Sequence, residues 1–277
     1  MEGKYSELPT PYPQVMTEPV LIEVCVDSVA SAVAAERGGA QRVELCSDLL
    51  EGGITPSLGL LQAVRAAVSL PLHVIIRPRG ADFCYSDAEF DIMRRDTELA
   101  KRAGADGVVF GILDASAHVD IIRTRQLVEL ARPMSVTFHR AFDMSADLQN
   151  SLDDVCQTGA HRLLTSGGEQ DCVQGTDAIA KLVKSTRDRI RIMAGGGITP
   201  TNVAQILQRT RVNEIHVGLA TAMQSPMLLR NPRVSLGKAP GREYHRAQVL
   251  EESVRELRRA IAQVPANEAN ESRQPDL

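Results

Sequence analysis

The fold is decided by two short stretches near the N-terminus that nearly repeat each other. Residues 21–27 read Leu-Ile-Glu-Val-Cys-Val-Asp, and residues 42–47 read Arg-Val-Glu-Leu-Cys-Ser. Each stretch predicts a buried strand that carries Glu-x-Cys near its C-terminal end. Residues 28–39, between them, have the apolar spacing of a helix. This order predicts two neighbouring parallel strands with two glutamates and two thiols at matching depths.

The composition is that of an ordinary globular chain of 277 residues, with 43% hydrophobic and 24% charged residues. A formal net charge of −4 gives no general attraction to nucleic acid or to an anionic membrane. No apolar run approaches the roughly 20 residues that span a bilayer. The five cysteines form no disulfide framework, and no secretory signal is visible. We therefore expect a cytoplasmic protein with reduced thiols and no membrane or nucleic-acid partner.

Strand and helix patterns alternate along the rest of the chain. The predicted strands cover residues 20–26, 42–46, 72–76, 107–110, 134–138, 161–164, 190–193 and 214–217. Eight such units predict an α/β chain with a single (β/α)8 TIM-type barrel over residues 20–264. An open doubly wound sheet is the alternative. Residues 1–19 are predicted to form a disordered leader, and residues 265–277 a flexible tail.

Helix starts are predicted from capping patterns. Ser86 and Glu89 have the spacing of a capping box. Thr55-Pro56 and Thr199-Pro200 each predict a cap followed by proline in the first helical turn. After the eighth strand, a long proline-containing loop is predicted to lead to a last helix over about residues 244–264.

Strand alternation predicts a polar barrel interior. Alternate positions that would point inward carry Glu23, Cys25, Glu44, Cys46, His73, Arg77, Thr137, His139, Glu214 and His216. Buried carboxylates require partners. Arg77 and Arg79 are the expected counter-charges, with His139, Arg140 and His216 as further donors. Such a network is costly for stability alone and is typical of functional sites.

The polar residues cluster where the strands end, at the face that carries the site in barrel proteins. Residues expected there are Cys25, Asp27, Cys46, Arg77, Arg79, Asp82, His139, Arg140, Asp143, Ser166 and His216. Gly195, Gly196 and Gly197 follow the seventh strand and precede a helix, which is a pattern typical of anion sites. The alternative is that these glycines only permit a tight turn.

Cys25 and Cys46 are the candidate metal ligands. Two convergent thiolates favour Cu(I), and neighbouring strands lie about 4.8 Å apart, within joint reach of one metal. The alternative is that both cysteines are small buried core residues. His139, with Asp143 nearby in sequence, is a candidate general base oriented by a carboxylate, or else a buried structural histidine.

Several motifs taken together resemble the CutC family of copper homeostasis proteins. The matching stretches are residues 23–25, 27–28, 42–46, 51–57, 76–80, 82–83, 85–86, 137–143, 164–167, 195–198, 214–216, 225–227 and 230–231, in family order. There are three departures: Ala81 stands where the family usually has a second glycine, residues 217–219 lack the usual hydroxyl groups, and Leu229 replaces an aromatic residue.

The resemblance implies a (β/α)8 barrel that forms homo-oligomers in the cytoplasm, and in eukaryotes also in the nucleus. It also implies a role in copper handling, with Cu(I) held by thiols that match Cys25 and Cys46. The second departure, in residues 217–219, weakens an anion site after the eighth strand and leaves the cysteine pair untouched.

Two hypotheses from different classes follow. The first is a copper homeostasis protein that binds Cu(I) through paired cysteines. The second is an enzyme acting on a small anionic or phosphorylated substrate in the same pocket. In it, Glu44 and His139 would be acid or base, and Arg77 and Arg140 would stabilise charge. Arg79, Asp82, Asp143, Ser166, Gly195, Gly196, Gly197 and His216 are the expected substrate-binding residues. A divalent-metal site built from Glu23, Glu44, Glu214 and His216 is a weaker third possibility.

Overall fold

A closed barrel of eight parallel strands forms the centre of the protein, as seen in a computed structural model that describes residues 19–236 and 242–264. The strands are β1 (Leu21–Val26), β2 (Arg42–Leu45), β3 (Leu72–Ile75), β4 (Gly107–Phe110), β5 (Ser135–Phe138), β6 (Arg162–Thr165), β7 (Arg191–Gly195) and β8 (Glu214–Val217). Each strand pairs with the next, and β8 closes on β1 with Leu21 opposite Glu214. The predicted barrel is confirmed, and the open sheet is excluded.

Helices surround the barrel and follow the strands. They are α1 (Val29–Gly38), α2 (Leu58–Ala67), α3 (Asp87–Arg102), α4 (Ile121–Ala131), α5 (Leu148–Thr158), α6 (Thr176–Thr186), α7 (Val203–Thr210) and α8 (Glu251–Ala262). Short 3-10 turns at Leu49–Glu51 and Arg140–Met144 lie in the loops after β2 and β5. In the described residues, no helix is long and apolar enough to cross a membrane.

The capping box before α3 is confirmed, because Ser86 accepts from the Glu89 amide and Glu89 accepts from the Ser86 amide. The predicted start of α2 at Thr55-Pro56 is wrong. Thr55 is bound to the next strand instead: its hydroxyl oxygen accepts from the Arg77 amide at 2.9 Å. Ser57 therefore caps α2.

The predicted start of α7 at Thr199-Pro200 is also wrong, since the helix begins at Val203 after Asn202. The side chain of Asn202 folds back over the preceding turn. Its Oδ1 accepts from the Thr199 amide at 2.8 Å, and its Nδ2 donates to the Gly197 carbonyl at 2.8 Å. This local turn delays the helix.

The segment after β8 differs most from the prediction. The expected loop contains a strand, β9 (Ala220–Gln224), and the expected last helix is preceded by another, β10 (His245–Val249). The two strands form an antiparallel ribbon outside the barrel, with Ala222 opposite Ala247. Cross-strand hydrogen bonding therefore overrides the helical pattern at its start, and α8 begins at Glu251.

The apolar core lies between the barrel and its helices. Val24, Val43, Leu45 and Phe138 are fully buried there, and strand alternation leaves the opposite parity for the barrel interior. The predicted leader, apart from its last residue, and the predicted tail lie outside the described residues.

Candidate metal centre and barrel-mouth site

A chain of buried ion pairs crosses the barrel interior. Arg42, on β2, donates to Glu23 through Nε and to Glu214 through Nη2, the latter at 2.7 Å. Arg162, on β6, donates to the same Glu214. All four side chains are at most 8% exposed. Since these residues come from four strands and still touch, their side chains must point inward.

Two histidines flank Glu23 within this network. Nδ1 of His216 lies 2.8 Å from Oε1 of Glu23, and Nδ1 of His73 lies 3.6 Å from Oε2. Burial opposes the charge of Glu23, but Arg42 and then His216 hold its pKa well below the usual range. Burial lowers the pKa of His73 to about 4, so its imidazole is neutral near pH 7.

The prediction that Arg77 and Arg79 neutralise the buried glutamates is wrong. Arg77 donates to three backbone carbonyls, those of Glu51, Gly53 and Ala81. Arg79 lies outside the barrel interior, where it donates to Glu89 at 2.6 Å and to Asp82 at 3.1 Å. These two arginines hold loops together, and the carboxylates of Glu23 and Glu214 pair instead with arginines on β2 and β6.

Cys25 and Cys46 converge at the barrel mouth, the end of the barrel where the strands terminate. Their sulfur atoms are 3.5 Å apart. Cys46 is buried and Cys25 is partly accessible. Gly53 closes the inner side, because a Cβ at this position, where φ is +91°, would lie 3.2 Å from the Cys46 sulfur. The backbone thus packs directly against the pair.

The two thiols differ electrostatically. The hydrogen bond with Cys46, with help from His216 and against burial, lowers the pKa of Cys25 to about 6. The same hydrogen bond and burial raise the pKa of Cys46 well above its usual value. Cys25 is therefore the thiolate near pH 7, and Cys46 is the thiol that donates to it.

Glu44 and His216 complete the mouth beside the thiols. Nε2 of His216 lies 3.5 Å from Oε2 of Glu44. Burial raises the pKa of Glu44 to about 8, although His216 opposes the shift. Burial also opposes the charge of His216, but Glu44, Cys25 and Glu23 raise its pKa well above the usual value.

Two overlapping sets of ligand atoms could hold a metal ion. One set is Cys25, Glu44 and Cys46, and the other is Glu23, Glu44 and His216, each with its atoms within 4.8 Å of one another. The first set offers two thiols. In the second, Glu23 is already neutralised by Arg42 and His216, which makes it a poor additional cation ligand.

His139 was expected to be a general base oriented by the Asp143 carboxylate, but its Nδ1 has a backbone partner instead. Nδ1 of His139 accepts from the Ala141 amide at 3.2 Å. The Asp143 carboxylate instead accepts from Arg140, Thr165 and the Ser166 amide. Burial, and then the charge of Arg77, lower the pKa of His139 to about 3, so its ring is neutral.

Arg140, Asp143, Ser166 and the glycine loop do lie together on the β5–β7 side of the mouth. Nη2 of Arg140 donates to the Ser166 hydroxyl at 2.6 Å. A Cβ on Gly196 would lie 3.4 Å from Nη1 of Arg140 and 3.3 Å from Cβ of Ser166. Because α7 begins only at Val203, the glycines do not lead straight into a helix as expected.

Sequence reasoning missed Arg42 and Arg162 as the cations of the interior. A signal was available for Arg42, which has the same strand parity as Glu44 and lies opposite Glu23 in the register. For Arg162, at the start of β6, no local pattern indicates the contact with Glu214, since 52 positions separate the two residues.

Comparison with known proteins places this site in a family context. The sequence model of the CutC family matches residues 20–221, which include all of β1 to β8 and both Glu-x-Cys strands. The chain belongs to the CutC family.

CutC relatives cover most of the chain. The mouse protein named copper homeostasis protein cutC homolog is 49% identical over 217 residues, which are 78% of this chain and 80% of that protein. A CutC family protein of Chromobacterium violaceum is 44% identical and covers 87% of this chain and 98% of its own length.

A solved CutC structure has the same fold. The crystal structure of CutC from Streptococcus agalactiae matches with a TM-score of 0.68 and 33% identity, over 71% of this chain and 97% of that one. Thiamine phosphate pyrophosphorylase from Pyrococcus furiosus, at 18% identity and a TM-score of 0.54, shares the fold alone. Within the CutC pattern, the departure at Ala81 places an alanine at φ +63°, a conformation that favours glycine.

Proposed function

We propose that this protein binds Cu(I) through Cys25 and Cys46 and takes part in copper homeostasis. The observation that carries the proposal is the 3.5 Å separation of the two sulfur atoms at the barrel mouth. Soft thiolate ligands select Cu(I) over the harder divalent ions. The names of the mouse and human relatives, copper homeostasis protein cutC homolog, point to the same role.

The sulfur separation favours a bent rather than a linear site. With metal–sulfur bonds of about 2.3 Å, sulfurs on opposite sides of one ion would lie about 4.6 Å apart. The observed 3.5 Å is shorter, so an ion held without movement of the strands has room for a third ligand. Glu44 is a candidate for it, since its carboxylate lies within 4.8 Å of both sulfurs.

The thiols also have the right accessibility and charge for cargo that must be loaded and released. Cys25 is partly accessible, so an ion can reach the pair from the mouth. The pKa of Cys25, about 6, supplies one thiolate near neutral pH. Cys46 must lose its proton when the ion binds.

The test is competition for Cu(I) against a chromophoric Cu(I) chelator of the bathocuproine type. We expect one tightly held ion per chain in the wild type and loss of that ion in the Cys25→Ser/Cys46→Ser double variant. The matched control is Cys156→Ser, which removes a free thiol on α5, outside the barrel. Unchanged binding in the double variant would overturn the proposal.

A second candidate function is proton transfer on a small anionic substrate in the same mouth. The observation that favours it is the pair formed by Glu44, whose pKa burial raises to about 8, and His216 at 3.5 Å. A carboxyl group that keeps its proton near pH 7 can act as a general acid. Steady turnover with metal-free protein that is lost in Glu44→Gln would support this function, and copper would then be its inhibitor.

A further inference from the structure

Arg77 is a buried cation without a counter-ion. Its side chain is only 5% exposed. Three of its N–H groups donate to neutral carbonyls, those of Glu51, Gly53 and Ala81, at 2.6 to 2.9 Å. Within residues 19–236 and 242–264, no carboxylate oxygen lies within 4.0 Å of this guanidinium. Buried charges are normally paired, so this position is suited to an anion that the chain itself does not supply.

Nε of Arg77 makes no hydrogen bond, and two further buried polar atoms lie near it without a partner of normal geometry. Nε of Arg77, the hydroxyl of Tyr85 and Nε2 of His139 make no hydrogen bond of normal geometry in the described chain, although the Tyr85 hydroxyl lies close enough to Arg77 to accept a weak one. Tyr85 and His139 are each 5% exposed. Three such polar atoms in one region are unusual, because a buried donor left unsatisfied loses its hydrogen bonds to water without replacement.

All three atoms can donate. Nδ1 of His139 accepts from the Ala141 amide, which leaves the proton of the neutral ring on Nε2. Burial raises the pKa of Tyr85 to about 12, against the nearby charge of Arg77, so its hydroxyl keeps its proton. The guanidinium of Arg77 is always charged. The region therefore combines one positive charge with three free donors.

Phe83 covers these donors with an apolar ring. The ring centroid of Phe83 lies 4.8 Å from that of His139, and Cζ of Arg77 lies 5.0 Å from the same phenyl centroid. The carbonyl of Phe83 accepts from the Leu113 amide at 2.9 Å, which fixes its backbone. Because the Phe83 side chain is half-buried, it is the group of this cover that could turn aside to admit an organic ligand.

We propose that Arg77, Tyr85 and His139 form a subsite for the carboxylate group of a small organic acid, with the Phe83 side chain as its lid. A carboxylate carries one charge on two oxygens, and those oxygens can accept all three hydrogen bonds. A phosphate dianion would leave a second charge uncompensated beside a single guanidinium. This subsite does not depend on copper binding, and it gives a ligand class for the second candidate function.

The subsite adjoins the thiol pair through Gly53. The carbonyl of Gly53 accepts from Arg77 at 2.9 Å, while its Cα packs against the Cys46 sulfur. A carboxylate held by Arg77 therefore has the rest of its molecule close to the residues of the mouth. The three carbonyl bonds of Arg77 also hold the loops in place, but that structural role leaves the Tyr85 hydroxyl and Nε2 of His139 unexplained.

The test is a titration of the ¹⁵N-labelled, metal-free protein, observed by NMR at the Nε–H of Arg77 and the Nε2–H of His139. The probes are formate, acetate and oxalate, with phosphate and chloride for comparison. We expect saturable shifts with at least one carboxylate and a higher melting temperature. The Tyr85→Phe variant should bind that carboxylate about tenfold more weakly, the loss of about 1.4 kcal/mol.

Two controls make the result specific. Tyr244→Phe, which changes a tyrosine in the external ribbon region, should bind the carboxylate like the wild type. Cys25→Ser/Cys46→Ser should also bind it unchanged, so failure of the copper proposal and failure of this one are separable. Without ligand, Tyr85→Phe should be no less stable than the wild type, because it removes an unpartnered hydroxyl; a purely structural hydroxyl would make it less stable.

Several outcomes would overturn the proposal. The first is no saturable shift with any carboxylate, and the second is equal affinity in Tyr85→Phe and the wild type. Tighter binding of phosphate than of every carboxylate would refute the ligand class. A crystal structure grown in the carboxylate that shows only an internal water on the three donors would refute the site.

Discussion

The different protonation of the two thiols predicts a bend in the pH dependence of copper affinity. Cu(I) binds thiolates, so each bound ion displaces every proton that its ligands still carry. Above pH 6, Cys25 is already a thiolate and Cys46 is not. Below pH 6, both thiols must lose a proton. The slope of log Kd against pH should therefore change by one proton near pH 6.

The magnitude follows from the shift at Cys25. A thiol with the reference pKa of 9.0 would have to be deprotonated at pH 7 at a cost of about 2.7 kcal/mol, from two pH units at 1.36 kcal/mol each. A pKa of about 6 removes that cost, which corresponds to roughly a hundredfold in affinity. Above the bend, only Cys46 releases a proton, so the affinity for Cu(I) should rise about tenfold per pH unit. Below the bend, Cys25 and Cys46 both release a proton, so the affinity should rise about a hundredfold per pH unit.

Glu44 adds a separable contribution. Its pKa of about 8 means that it too would release a proton if it became the third ligand. In that case the slope between pH 6 and 8 is two protons in the wild type and one in Glu44→Gln. The bend near pH 6 stays in both proteins, because it belongs to Cys25.

The assay is chelator competition at half-unit steps between pH 5 and 8, corrected for protonation of the chelator. Ultraviolet absorbance of the thiolate in the metal-free protein gives an independent titration of Cys25, and the Cys25→Ser variant is the control. A wild-type plot of constant slope across pH 6, or the same bend in Cys25→Ser, would refute the reasoning.

Three further predictions concern the frame of the site and are measured by denaturant or thermal unfolding. Glu214→Gln removes the carboxylate partner of buried Arg162 and leaves Arg42 with Glu23 alone, so it should lose about 3–5 kcal/mol. Glu98→Gln, in an exposed helical pair, should lose under about 1 kcal/mol. Equal losses would contradict the buried network. His73 binds a proton below pH 6.5 in the unfolded chain but only below about pH 4 in the folded protein, so stability falls as the pH drops through that window. His73→Phe should reduce the stability lost between pH 6.5 and 4.5 by about 2.5 kcal/mol. An unchanged pH profile of stability would argue against a neutral buried ring. Ala81→Gly should stabilise the folded protein by about 0.5–1 kcal/mol, because it relieves the left-handed backbone at φ +63°. The control, Ala63→Gly in α2, should destabilise the protein by a similar amount. Destabilisation by both variants would refute backbone strain at Ala81.

Periodicity predicted the elements best where local pattern and tertiary contacts agree. β4 and β8 have the predicted bounds. The start of α2 was wrong because a hydrogen bond to Arg77, 22 positions away, holds Thr55. The ribbon of β9 and β10 was missed because its strands pair only with each other across a long connection, which local composition does not report.

The candidate site was predictable as a set of residues, but its pairings were not. Strand parity correctly brought Glu23, Glu44 and His216 into one mouth. The prediction that Arg77 pairs with Glu23 was wrong. Strand parity points both side chains into the barrel, but the sequence does not give the distance between them. The empty hydrogen-bonding positions around Arg77 likewise become visible only when every neighbouring atom is in place.

The predicted matching depth of Cys25 and Cys46 is wrong, because the register places Cys25 opposite Glu44. The sequence by itself determined the barrel, the inward glutamates and the position of the two cysteines on neighbouring strands. These follow from local alternation and from one strand–helix–strand unit, whose parts are close in the chain. The tertiary structure decided which charges meet, because closing the barrel joins β1 to β8. Glu23 thereby reaches His216 from 193 positions away, and Arg42 reaches Glu214 from 172. The hydrogen bond between the two sulfurs, with His216 beside Cys25, then separates the pKa values of the two thiols, which no local pattern of residues specifies.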